Sequence, residues 1–131
     1  MHRIFVCDDA PEYRALLRTI LGMEGDLEVV GEACDGQECI EKVPATSPDV
    51  VLLDIKMPRM TGLEALPHLR KVAPQTDVVV LSTADPADVG RQAIELGATA
   101  FVQKPISALD IPAAIRAHLP VLDRRTRPRL A

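Results

Sequence analysis

The chain has no tryptophan, one tyrosine and two phenylalanines, so its core must be aliphatic. Little aromatic material is left for stacking nucleic-acid bases. Only three cysteines occur. Cys7 falls in a strand-like run, Cys34 and Cys39 near a turn and a helix, and their spacing matches no zinc pattern. Reduced intracellular thiols are expected. No apolar run approaches the ~20 residues of a membrane span. The start, Met1-His2-Arg3-Ile4-Phe5-Val6, enters a strand-like segment directly and lacks signal-peptide anatomy. A cytoplasmic location and no membrane partner are therefore expected.

What is present suits one globular domain: 131 residues, 47% hydrophobic and 26% charged. Charge is uneven. Residues 119–131 hold four Arg against one Asp, and the net −4 of the whole leaves −7 on the first 118 residues. That contrast predicts a folded domain over 1–119 and a basic, Pro-containing tail or linker over 120–131. Arginines of the tail could touch phosphates, but the acidic body argues against direct nucleic-acid binding by this chain.

Apolar periodicity gives five strands alternating with five helices. The predicted strands are Arg3 to Cys7, Leu27 to Ala33, Val50 to Asp54, Val78 to Ser82, and Ala100 to Gln103. Val50 to Leu53 is continuously apolar, as a strand buried on both faces requires. Helices are expected from Pro11, over Gln37 to Val43 with Pro44 as the stop, and from a Thr61/Glu64 capping box to Val72. The last of these contains Pro67, for which a kink is expected. A fourth helix opens at Asp85-Pro86 and closes at Gly97. The fifth is capped by Ser107 or Asp110, with Ile111, Ile115 and Leu119 as its apolar face. Strict βα alternation means a parallel sheet with helices on both faces.

At the carboxyl ends of these strands stand Asp8 and Asp9, Asp54, Ser82 and Lys104. Ligands of open α/β sheets gather at that edge. Three carboxylates together repel unless a cation intervenes. Lys104 offsets one charge, and an all-oxygen donor set suits Mg²⁺ rather than Zn²⁺. A metal, an ammonium and a hydroxyl around one carboxylate form a clamp for a phosphoryl group, with Asp54 as nucleophile.

Asp8-Asp9, Asp54-Ile55-Lys56-Met57-Pro58 with Gly62, Leu81-Ser82, and Gly97 to Pro105 follow in the order of receiver-domain motifs. The sequence resembles the CheY-like receivers of two-component response regulators, most of all those attached to helix-turn-helix outputs of the NarL/LuxR type; methylesterase receivers also look similar. The resemblance implies a flavodoxin-like five-stranded sheet of order 2-1-3-4-5. It implies that Asp54 is the phosphoacceptor, that Asp8, Asp9, Asp54 and the Lys56 main-chain carbonyl bind Mg²⁺, and that Ser82 and Lys104 contact the phosphoryl group. Ser82 and Phe101 would form the switch, and the Lys104–Pro105 bond would be cis. Lys56 and Ala84 fall where the family varies phosphoryl lifetime, and Thr83 is larger than the residue often found there. Implied partners are a sensor histidine kinase or phosphotransfer protein, an output protein or domain, and a phosphorylation-dependent homodimer. The chain would be either a stand-alone receiver or the receiver of a DNA-binding transcriptional regulator.

Three other readings fit the residues less well. A haloacid-dehalogenase-type phosphatase needs a second Asp two residues after the nucleophile, where this chain has Lys56. A nucleotide-binding flavodoxin-like module needs a Gly-rich loop where Asp8-Asp9 stands. DNA binding by the arginine tail is opposed by the acidic body. The expected role is that of a regulatory phosphoacceptor, not an enzyme.

Overall fold

A computed structural model describes residues 1–105 and 107–118; the 120–131 tail expected from sequence and Leu119 lie outside them. Five parallel strands form one sheet in the order β2-β1-β3-β4-β5, as expected. They are β1 His2–Cys7, β2 Leu27–Ala33, β3 Val50–Leu53, β4 Asp77–Ser82 and β5 Ala100–Gln103. The helices are α1 Pro11–Gly22, α2 Gly36–Thr46, α3 Gly62–Val72, α4 Arg91–Glu95 and α5 Ile111–Arg116.

Successive strand residues point to opposite faces, and the three central strands divide the core accordingly. Ile4, Val6, Val50, Leu52, Val79 and Leu81 pack with Leu17 and Leu21 of α1 and Ile111 and Ile115 of α5. Phe5, Cys7, Val51, Leu53, Val78 and Val80 pack with Cys39 and Val43 of α2, Leu66 and Leu69 of α3, and Ala93 of α4. Both faces being covered, β3 and β4 are buried along their whole length.

Where the helices depart from expectation, the causes are local. Pro44 does not stop α2, which runs on to Thr46. Proline in a last turn forfeits a single bond, and the real terminator is left-handed Ser47 (φ 47°) followed by Pro48. Pro67 lies inside α3, as expected, and the helix runs through it from Gly62 to Val72. The fourth helix opens as a π turn over Pro86–Gly90 before α4 begins. Ser107 caps a 3-10 turn, Ala108–Asp110, that leads into α5, while Asp110 makes no side-chain cap bond.

Gly97 closes the α4 region at φ +112°, a conformation that suits glycine. The Thr61/Glu64 box is formed: the Glu64 amide donates to Thr61 Oγ1 at 3.2 Å and the Thr61 amide to Glu64 Oε1 at 3.0 Å. Thr61→Ala is therefore expected to lower stability by about 1 kcal/mol, read as a lowered urea midpoint with an unchanged m-value. A change within error would show that the box adds nothing to packing.

Candidate functional site

Main-chain bonds between neighbouring strands set the site. The Asp54 amide donates to the Cys7 carbonyl (2.9 Å), and the Lys104 amide to the Ser82 carbonyl (2.7 Å). Parallel register thus lines up the ends of β1, β3, β4 and β5. There, one carboxylate oxygen from each of Asp8, Asp9 and Asp54 lies within 4.8 Å of the others. Asp8 and Asp54 are buried and Asp9 is exposed. Lys104 Nζ approaches Asp8 Oδ2 at 2.9 Å and Asp54 Oδ1 at 3.6 Å.

The geometry fixes the charge states. Burial pushes the Asp54 carboxyl up to about 6. The Lys104 ammonium opposes that rise, as does the Ile55 amide donating to Asp54 Oδ1, while Asp8 and Asp9 reinforce it. For Lys104, burial works against the cation, but the hydrogen bond it donates to Asp8 and the charges of Asp54 and Asp8 outweigh it, so its ammonium is held above the ordinary lysine range. Asp54 is thus a carboxylate crowded by like charge and desolvated. A hard cation relieves that strain, and the all-oxygen donor set fits Mg²⁺.

Asp8 is itself aimed. Its Oδ1 accepts the Ala10 amide (2.9 Å) and its carbonyl accepts Arg14 Nη1 (2.7 Å). Ser82 is buried, its Oγ accepting the Ala84 amide at 3.1 Å. Phe101 is half-buried on β5 against the α2–α4 side of the core and faces Gly90. Lys56 and Thr83 are exposed, and Ala84 is half-buried.

One expectation fails. The Lys104–Pro105 peptide is trans, since no cis bond occurs among the described residues. Trans is the intrinsically favoured X–Pro form, and with it the Lys104 side chain still reaches both carboxylates.

The structure adds residues that support the site from outside it. Asp35 is the buried N-cap of α2: its Oδ1 accepts the Glu38 amide at 2.8 Å. Its Oδ2 accepts from Arg59 Nε (2.8 Å) and Nη2 (2.5 Å), and the Gly36 amide reaches the Met60 carbonyl (3.1 Å). Together these tie the loop after Asp54 to α2. Asp35 with Glu38 three residues on is the N-terminal signature that would have revealed it. Gly62, named with the Asp54 segment from sequence, has a steric role. A Cβ there would lie 2.0 Å from the Asp54 carbonyl oxygen.

Fold and site together define the class: a doubly wound, flavodoxin-like α/β domain with an acidic cluster at its strand ends. Residues 4–116 match the response regulator receiver domain, and the chain belongs to that family. It is 42% identical over 110 residues to a protein-glutamate methylesterase/protein-glutamine glutaminase of Pyrococcus horikoshii, covering 83% of this chain and 30% of that protein. It is 35% identical over 115 residues to the uncharacterized transcriptional regulatory protein YxjL of Bacillus subtilis, covering 88% of this chain and 53% of that one. The response regulator domain of Thermotoga maritima CheB superposes with a TM-score of 0.80 at 31% identity, covering 97% of each chain.

The chain thus spans about a third to a half of the length of these curated relatives. Receivers of this family are regulatory domains of two-component systems, switched by phosphorylation, and bind Mg²⁺ at acidic residues. No described helix is long and apolar enough to cross a membrane.

Proposed function

We propose that Asp54 is the acceptor of a phosphoryl group delivered by a histidine kinase or phosphotransfer protein. The observation that carries this reading is the joint approach of Asp8, Asp9 and Lys104 to one buried carboxylate. Asp54 is ionised above about pH 6, and an Asp54 oxygen attacks phosphorus while the P–N bond to the donor imidazole breaks. Asp8, Asp9 and Asp54, with the Lys56 main-chain carbonyl, are the residues that would hold Mg²⁺. When bound, that ion would neutralise the carboxylates and the developing phosphoryl charge.

Lys104, kept cationic, pairs with a phosphoryl oxygen in place of its present Asp54 contact. Ser82 Oγ exchanges its Ala84 amide for the phosphoryl group, and Phe101, half-buried beside Gly90, follows the hydroxyl inward. The domain turns over no external substrate. Its product is a changed β4–β5 surface, read by an output protein or an attached output domain, and by a second copy of the chain in a phosphorylation-dependent homodimer. Relatives of both the methylesterase and the transcriptional-regulator kind extend well beyond the matched segment, which supports an output domain in the natural context.

The test is labelling by acetyl phosphate, followed by intact mass. A single +80 Da species is expected in Mg²⁺, none in EDTA, and none for Asp54→Asn. Labelling of Asp54→Asn at the wild-type rate would move the acceptor elsewhere.

A further inference from the structure

Tyr13 is the chain's single tyrosine, and the helical periodicity of α1 accounts for it as one more core-facing residue. The structure adds a second contact. Tyr13 sits half-buried at the start of α1, and Lys104 Nζ lies 4.3 Å from the centre of its ring. The ammonium is therefore held from three directions: Asp8 Oδ2 at 2.9 Å, Asp54 Oδ1 at 3.6 Å, and the face of the ring. We infer that Tyr13 is a positioning residue for phosphoryl transfer, its ring fixing the Lys104 ammonium beside Asp54. The inference rests on the reading of Asp54 and Lys104 as the phosphoryl site.

The physical argument starts from the lysine stem. Four rotatable bonds let an ammonium wander, and a compact, strongly hydrated cation prefers water to a half-filled site. Two carboxylates attract it, but Asp8 and Asp54 would both be drawn toward a bound cation, so neither is a constant partner. The ring is. An aromatic face carries negative quadrupole, attracts a cation without proton exchange, and strengthens when desolvated.

Tyr13 is also anchored independently of the charges it serves. It leans on the α1–α5 side of the core, and its α1 neighbour Arg14 holds the main-chain carbonyl of Asp8. Lys104 thus has one support that stays put when the carboxylates change partners. Preorganising a charge where the transition state needs it raises the rate of transfer rather than the affinity for the donor.

A double-mutant cycle with acetyl phosphate in saturating Mg²⁺ tests this, with rate at saturating donor and half-saturating donor concentration measured separately. Tyr13→Leu keeps an apolar side chain in the core and removes the ring. It is expected to slow labelling about fivefold to tenfold at saturating donor, with half-saturation changed less than twofold. Tyr13→Phe restores the ring and recovers most of the rate. Against a Lys104→Met background, Tyr13→Leu is expected to change the rate less than twofold, because the cation it positions is gone.

Thermal melts of each variant report folding, so a rate loss is read only at temperatures where the protein is native. A Tyr13→Leu rate within twofold of wild type overturns the inference. So does an equal loss with and without Lys104, or a Tyr13→Phe loss as large as that of Tyr13→Leu. If Lys104→Met labels as fast as wild type, the failure lies with the phosphoryl site itself and not with Tyr13.

Discussion

Gly62→Ala is expected to destabilise the domain by roughly 3–5 kcal/mol and to slow labelling of Asp54 at least tenfold. The reason is one distance: a Cβ at position 62 would stand 2.0 Å from the Asp54 carbonyl oxygen and 3.0 Å from the Ile55 Cα. Both obstacles are main chain, so no rotamer change relieves the clash, and either β3 or the start of α3 must shift. The first choice drags the Asp54 carboxylate out of register with Asp8. The second breaks the bond from the Gly62 amide to the Ile55 carbonyl (2.9 Å) and the capping box beside it. Gly25→Ala is the control, because a Cβ there meets nothing within 4 Å; its urea midpoint should stay near wild type. Equal midpoints for the two variants would show that the contact at Gly62 relaxes freely.

In chelator, Asp54→Asn is expected to stabilise the protein at pH 7.5 and to do nearly nothing at pH 4. The Asp54 carboxyl, near 3.8 when unfolded, is pushed up to about 6 in the fold. Between those values the native state holds a proton that the unfolded state has released, so stability falls as pH rises through the window and stays lower above it. A difference of about two pH units corresponds to roughly 3 kcal/mol, which sets the expected gain at roughly 2–3 kcal/mol. Urea unfolding at the two pH values measures it. Millimolar Mg²⁺ should then close the gap from the other side, stabilising wild type by RT ln(1 + [Mg²⁺]/Kd) and the amide variant far less. A gain that persists undiminished at pH 4 would mean that the substituted amide acts through packing, and the charge argument would fall.

Both effects concern residues that the sequence names but explains unequally. The acidic cluster was legible because each member ends an apolar run, and alternation of strands and helices forces those ends to one edge. Strand limits were read to within a residue or so for the same reason: β2 and β5 match their expected bounds at both ends. Proline misled in α2, because a missing N–H in the last turn leaves one carbonyl to be satisfied and does not unwind a packed helix. The trans Lys104–Pro105 bond was beyond pattern reading, since each X–Pro isomer is decided by its surroundings. Arg59 with Asp35, Tyr13 with Lys104 and the steric role of Gly62 were equally invisible. Each pairs positions whose proximity exists only once α1, α2 and α3 have docked.

The main-chain bonds from Asp54 to Cys7 and from Lys104 to Ser82 carry a consequence for how such a chain can diverge. The spacing of Asp54 and Lys104 from their neighbours is measured out in peptide units and does not depend on which aliphatic side chains fill the two cores. Volume-conserving exchanges among Val51, Leu53, Val78 and Val80 therefore alter melting temperature while leaving the geometry around Asp54 in place. Core and site form two nearly separate compartments of mutational tolerance, and lineages can drift far in the first while the second stands still.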